Sequence, residues 1–194
     1  MALDGGAQSA LAAEIARILA AAPPFRPTMP RTGTPFSVEM SNCGPLGWVS
    51  DKAGGYRYQA THPLTGQPWP PIPDLLLALW RDVARCPVPP EACLINLYDA
   101  KARMGAHQDR DEADLSAPVV SVSLGDDAVF HVGGLKRTDP KVRVTLRSGD
   151  VLVLEGESRL AFHGIDRVLS GTSMLLPREG RINLTMRRVT LTPK

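Results

Sequence analysis

The sequence predicts a mainly β chain, an antiparallel sandwich or jelly roll with helices flanking it. Three observations carry that expectation. From Ala92 onward the chain breaks into short apolar or alternating segments separated by turn residues, at 92–98, 119–124, 128–132, 142–146, 151–154, 160–163 and 181–190, with no helical crossover between them. Helical periodicity is confined to the first half, in Leu11, Ile15, Ile18 and Leu19 and again in Leu75, Leu76, Leu79 and Val83. Between these two stretches, residues 21–73 hold eleven of the 18 prolines, which excludes a regular helix there.

The first helix falls within Leu11–Ala22. It does not read as a secretory leader, because Asp4 precedes it where a positive region is expected, and Glu14 and Arg17 interrupt its apolar run. No apolar run approaches a membrane span, so a cytoplasmic protein without a membrane partner is expected. The proline-rich stretch carries Trp48, Tyr56, Tyr58 and Trp69 and reads as short strands and loops. Aromatic residues on stiffened loops suit the rim or lid of a pocket, although Trp69 fits plain packing equally well. Pro73-Asp74 opens the second helix, which ends before Pro87. Gly149-Asp150 is the turn that launches Val151–Leu154. A length of 194 residues suits one domain, with helices and lid in 1–91 and the β core in 92–190.

The net charge of +2 permits a polyanionic partner without demanding one. Cys43, Cys86 and Cys93 are odd in number and lack C-x-x-C spacing, so they read as free thiols and not as a disulfide frame or zinc site.

The chemistry is concentrated in few residues. Two of only four histidines belong to the set His107, Asp109 and His163, an H-x-D pair followed by a His in an apolar segment. Two imidazoles and one carboxylate form the facial triad that holds non-haem Fe(II) and leaves coordination positions open. H-x-D by itself is a weak signal; the last strand strengthens it. Arg181, Asn183, Thr185 and Arg187 alternate there with Ile182, Leu184 and Met186. An ordinary half-buried strand turns such a polar face to water. A small barrel holding a dianion needs it inward, because the planar fork of Arg meets a carboxylate bidentately and keeps its charge. Strand 92–98 alternates similarly, with Asn96 and Tyr98 opposite Ile95 and Leu97. His131 reads as a satisfied core histidine, with a group supporting a metal ligand or a spare ligand as the alternatives.

Several stretches now acquire a common meaning: Met40–Gly44, Leu46–Trp48, Cys93–Tyr98, His107–Glu112, Pro118–Leu124, Gly133–Arg137, Gly156–Arg159, His163-Gly164 and Arg181–Arg187. Together they resemble the Fe(II)/2-oxoglutarate-dependent dioxygenases, and among these the bacterial members of the AlkB family of oxidative nucleic-acid demethylases. The resemblance implies a double-stranded β-helix (jelly-roll) core beneath an N-terminal nucleotide-recognition lid. It implies that His107, Asp109 and His163 bind Fe(II), with 2-oxoglutarate and O2 as cosubstrates. It places Asn96, Leu97, Tyr98, Arg181, Asn183, Thr185 and Arg187 around 2-oxoglutarate, Arg181 taking the far carboxylate and Arg187 lying near the chelating end. Trp48 would stack on the base opposite His107, Asp111 would accept from the exocyclic amine, and Tyr56, Arg57, Tyr58 and Arg137 would meet the nucleotide strand.

The reaction so implied converts 2-oxoglutarate to succinate and CO2 and hydroxylates an N-methyl carbon. The product collapses to formaldehyde and the bare base. 1-Methyladenine and 3-methylcytosine are cationic, and a cation favours aromatic faces by about 0.5–2 kcal/mol each. The base must leave its stack, so alkylated single-stranded DNA is the expected partner of a monomeric enzyme, with duplex DNA and RNA as further partners. Two other readings stay open: a 2-oxoglutarate-dependent hydroxylase of a non-nucleic-acid substrate, and a non-catalytic reader of alkylated nucleic acid.

Overall fold

The computed structural model describes residues 2–191. Helices α1 (Gly5–Ala21) and α2 (Asp74–Val83) are joined by an irregular region holding strands β1 (Glu39–Cys43), β2 (Gly47–Asp51) and β3 (Gly55–Gln59). The rest is β4 (Ala92–Tyr98), β5 (Met104–His107), β6 (Val119–Gly125), β7 (Asp127–Val132), β8 (Val142–Leu146), β9 (Val151–Leu154), β10 (His163–Leu169) and β11 (Arg181–Arg187). A five-stranded sheet in the order β1-β4-β11-β6-β9 faces a four-stranded sheet in the order β5-β10-β7-β8, and every pairing is antiparallel. From β4 to β11 the chain passes repeatedly between the two sheets, which is the jelly roll that the strand pattern predicts.

The larger sheet separates two environments. Its outer face, from Cys93, Ile95, Val120, Val122, Leu184 and Met186, packs on Leu11, Ile15 and Ile18 of α1 and on Leu76, Leu79 and Trp80 of α2. Each such side chain contributes about 1.5–3 kcal/mol when fully buried, so both helices are fixed by their apolar stripes. Asp4 caps α1 through the amide of Ala7, and the helix therefore starts well before the first apolar residue of the pattern. The inner face turns toward the smaller sheet, and the cavity lies between the two.

Most predicted strands coincide with observed ones, but two do not. The segment 160–163 is no strand. A 3-10 turn at Gly156–Ser158 precedes it, Leu160–Phe162 stay irregular, and β10 begins at His163 and runs to Leu169. The final strand stops at Arg187, where Glu91 accepts from the amides of Val189 and Thr190 and turns the chain away. Met104–His107, a small-residue stretch, is itself a strand paired with β10. No helix among the described residues is long and apolar enough to cross a membrane. The three cysteines are free thiols; Cys43 and Cys93 are register partners in β1 and β4, buried beneath the helices.

β2 and β3 form a separate hairpin over one end of the roll. Asp51 accepts from the amides of Ala53 and Gly54 to close its turn. Trp69 supports the hairpin from below, packing on His62 and Phe25 and donating its indole N–H to the carbonyl of Gln59. Position 47 must be glycine, because a Cβ there would overlap the Trp69 ring. Trp69 is thus a packing residue and not part of the rim.

Candidate metal centre and its cavity

A cavity of about 670 Å³ opens between the sheets beneath the hairpin. His107 ends β5 and His163 begins β10, and the two are register partners, so adjacent strands bring residues far apart in sequence together. Asp109 follows in the loop after β5. The ligand-type atoms of the three lie within 4.8 Å of one another. His107 Nε2 is 3.6 Å from one Asp109 carboxylate oxygen, and His163 Nε2 is 3.8 Å from the other.

The tautomers are set by the backbone. His107 Nδ1 lies 2.9 Å from the carbonyl of Gly105, and His163 Nδ1 lies 2.9 Å from that of Ala161. A carbonyl only accepts, so each Nδ1 carries the proton and each Nε2 presents its lone pair to the shared space. Burial lowers the His163 pKa, with His107 and Arg187 adding to the effect against the attraction of Asp109. Burial alone would raise the Asp109 carboxyl, but Arg187 and the two imidazoles overcome it and hold the group well below the usual carboxylate range. Two imidazoles and one carboxylate thus converge on one space, a donor set that fits Fe(II).

Beside this group lies the polar face of β11, inside the roll and not in water. Arg181, Asn183, Thr185 and Arg187 all line the cavity, as do Asn96 and Tyr98 from β4, whose register partners are Asn183 and Arg181. Arg181 is 2% exposed, yet its Nε and Nη1 have no hydrogen-bond partner, and among the described residues it makes no ion pair. Burial pulls its pKa down, with only partial relief from Tyr98 and more distant acids. The Asn96 side-chain oxygen is also unpartnered. Burial pushes the Tyr98 hydroxyl up to about 12, so it stays protonated and able to donate. Buried donors without partners are rare, and those of Arg181, beside the Tyr98 hydroxyl, call for a ligand carrying anionic oxygens, while the Asn96 oxygen, an acceptor, calls for a donor.

Not every residue expected around the cosubstrate faces it. Leu97 points to the opposite side of β4 and packs in the outer core, because successive strand residues alternate faces. Asn183 donates to Ser121 and to the carbonyl of Val122, and its side-chain oxygen accepts from Thr185. It therefore braces the wall with Ser121, a residue the sequence reading did not single out.

At the mouth, Trp48 and Tyr56 stack with ring centroids 5.6 Å apart, and both line the cavity. Trp48 Nε1 donates to Asp111 Oδ2 over 2.8 Å. Arg137 lies 5.1 Å from the centre of the Phe162 ring on the rim. Two residues expected to meet the nucleotide are engaged with protein groups. Arg57 sits on the other face of the hairpin, paired with Asp51 at 2.8 Å and bonded to Gln59. Tyr58 shares the inward face with Trp48 but is spent inside the protein, donating to Glu112. His131 faces away from the cavity, buried against Asp166 at 2.7 Å, although its Nε2 has no partner.

Glu112 and Arg159 lie within the motifs His107–Glu112 and Gly156–Arg159, where the sequence alone assigns them no role. Both are buried. Arg159 donates to the backbone carbonyls of Ala117 and Asp109 and pairs with Glu112 at 3.1 Å. A charged pair inside two sequence motifs was the available signal; its meaning depends on contacts made across the fold.

Comparison with known proteins agrees with this geometry. A family model described as the 2OG-Fe(II) oxygenase superfamily matches residues 3–187. The chain is 54% identical over 188 residues to the alpha-ketoglutarate-dependent dioxygenase AlkB homolog of Caulobacter vibrioides, covering 96% of this chain and 84% of that protein. It is 46% identical over 169 residues to the alpha-ketoglutarate-dependent dioxygenase AlkB of Escherichia coli K12, covering 85% and 77%. Among solved structures, that of OsALKBH1 superimposes with a TM-score of 0.83 at 30% identity, over 96% of this chain and 93% of the other.

Proposed function

Because the chain belongs to the AlkB family of Fe(II)/2-oxoglutarate-dependent dioxygenases, we propose that it oxidatively removes methyl groups from 1-methyladenine and 3-methylcytosine in nucleic acid, single-stranded DNA first. The observation that carries the substrate is the mouth of the cavity. There an aromatic ring and a carboxylate, Trp48 and Asp111, sit joined above the His107–Asp109–His163 cluster. A methylated cationic base has a flat π face, a positive charge and an exocyclic amine, and these two groups answer all three features.

His107, Asp109 and His163 would hold Fe(II), which with 2-oxoglutarate and O2 supplies the oxidising power to hydroxylate the N-methyl carbon. The protein's own groups do the rest. Arg181 supplies the cation for the far carboxylate of 2-oxoglutarate, and Tyr98 a neutral donor beside it. Arg187 does not face that anion with a free charge, because its Nη2 is committed to Asp109 at 2.9 Å. Phe130, Leu146, Leu152 and Leu154 form an apolar wall that limits water near the reacting carbon. Asp111 accepts from the exocyclic amine, and Trp48 fixes the plane of the base. No side chain is required as a nucleophile. In sum, 2-oxoglutarate, O2 and the N-methyl group give succinate, CO2 and an N-hydroxymethyl group, which releases formaldehyde and leaves a proton on the base nitrogen.

The test incubates the protein with Fe(II), ascorbate, 2-oxoglutarate and one 1-methyladenine oligonucleotide presented as single-stranded DNA, duplex DNA or RNA, followed by mass spectrometry. Loss of one CH2 equivalent, fastest on single-stranded DNA, is the expected result. Succinate without demethylation of any strand would replace this reading with hydroxylation of another substrate. Binding without either product would make the protein a reader.

A further inference from the structure

The loop after β5 carries Asp109 and then meets the hairpin twice. Asp111 accepts from Trp48 of β2, and Glu112 accepts from Tyr58 of β3. Trp48 and Tyr58 are register partners, so one cross-strand pair holds two points of the segment that begins with Asp109. Behind them Arg187 divides its guanidinium three ways. Its Nη2 lies 2.9 Å from Asp109 Oδ2, its Nη1 donates to the Tyr58 hydroxyl over 3.4 Å, and its Nε lies 3.4 Å from Glu112 Oε1. That last contact is an ion pair without hydrogen-bond geometry, since Nε has no hydrogen-bond partner. Arg159 closes the other side, on Glu112 Oε2 and on the backbone carbonyl of Asp109. Asp109, Glu112, Arg159 and Arg187 are each less than a tenth exposed, and two negative and two positive charges balance.

The Tyr58 hydroxyl is the only neutral member of this ring and the only one on the hairpin. It stands between Arg187 Nη1 and Glu112 Oε1 and so keeps the arginine from turning its fork onto Glu112. Without it, the guanidinium is free to turn a two-donor edge, Nε with Nη2 or Nη1 with Nη2, onto Glu112, the side-by-side geometry arginine prefers with a carboxylate. Such a turn draws Nη2 away from Asp109. We propose that Tyr58 and Glu112 are positioning residues that couple the seating of the lid hairpin to the orientation of Asp109. This proposal rests on the reading of Asp109 as a metal ligand. It gives Tyr58 a task different from nucleotide contact. A base that settles against Trp48 moves or fixes the same hairpin pair that steadies Asp109, so a correct substrate and an ordered ligand arrive together.

The experiment compares wild type, Tyr58→Phe, Arg57→Ala and His163→Ala. Mn(II) binding is measured by electron paramagnetic resonance without O2 or 2-oxoglutarate, and succinate formed per formaldehyde is measured in turnover with a 1-methyladenine oligonucleotide. Partners of metal ligands typically matter by about 10–100-fold in metal affinity. Tyr58→Phe is expected to weaken Mn(II) about 10-fold and to raise succinate per formaldehyde severalfold, while thermal melting of the metal-free protein shows a folded chain. Arg57→Ala, on the outward face of the same strand, leaves both values at wild type. If Tyr58→Phe binds Mn(II) and couples like wild type, the proposal is overturned. The His163→Ala arm separates the two readings, because unchanged Mn(II) binding there removes the metal site itself.

Discussion

Trp48 and Asp111 are 63 residues apart in sequence, and the indole N–H of one donates to the carboxylate of the other over 2.8 Å. The bond joins the hairpin lid to the loop that carries Asp109. The bond involves only one oxygen of Asp111, which lines the cavity.

Replacing Asp111 with alanine is expected to lower kcat/KM on 1-methyladenine by about 10–100-fold, the equivalent of one hydrogen bond to a charged group at about 1.5–3 kcal/mol. Trp48→Ala removes an aromatic face and the partner of Asp111, with a loss of similar size. Steady-state kinetics on a methylated oligonucleotide checks both. Equal rates for wild type and Asp111→Ala would show that the carboxylate does not meet the base.

Arg181→Lys should raise KM for 2-oxoglutarate at least 10-fold. A lysine keeps the charge but loses the planar fork, and no carboxylate of the described residues pairs with this position. Isothermal titration with 2-oxoglutarate in the presence of Mn(II) reads the effect directly. Undiminished binding would place the cosubstrate elsewhere.

Gly164 packs between strands. A Cβ there would overlap the Met104 carbonyl and lie 2.9 Å from both the Gly105 carbonyl and the His131 ring. Gly164→Ala therefore has to push β5 from β10, the two strands that bring His107 to His163. The expected outcome is a loss of about 1–3 kcal/mol in denaturant unfolding together with weakened Mn(II) binding. A variant as stable as wild type would mean that these strands yield without strain.

Glu91 supplies a pH dependence. Burial would raise its pKa, but bonds from the amide and hydroxyl of Thr190, the amide of Val189 and nearby Arg188 lower it below the ordinary 4.5. A depressed carboxylate stabilises the fold above the unfolded-state value, and that contribution fades as pH falls through the folded one. Glu91→Gln should therefore be less stable than wild type by about 1 kcal/mol at neutral pH, with the gap closing below about pH 4. Urea melts across that range check the sign; a gap that widens in acid contradicts it.

Much of the roll was legible because its strands obey a period of two. In β4 and β11 the apolar set covers the helices, and the polar set faces the cavity. The segment 160–163 misled because an apolar run does not tell a strand from a buried turn. The chain there is held by Arg159 reaching to carbonyls some 40–50 positions away. β1 was hidden by Ser41 and Asn42, which are polar yet fully buried, bonded to the backbone of Ala22 and Trp48. The triad was readable because its residue types are rare in this chain and their chemistry is narrow. The contacts of Tyr58 were not legible, because an aromatic beside an arginine also suits a surface that grips nucleic acid. Only the placement of Glu112 and Arg187 behind it reveals an inward role.

The most direct test is a crystal structure of the protein grown with Mn(II) and 2-oxoglutarate under anaerobic conditions. A single ion bonded to His107 Nε2, His163 Nε2 and an Asp109 oxygen, with the far carboxylate of the cosubstrate on Arg181, is the predicted result. An ion held by other residues, or a cosubstrate that leaves Arg181 without a partner, would contradict it.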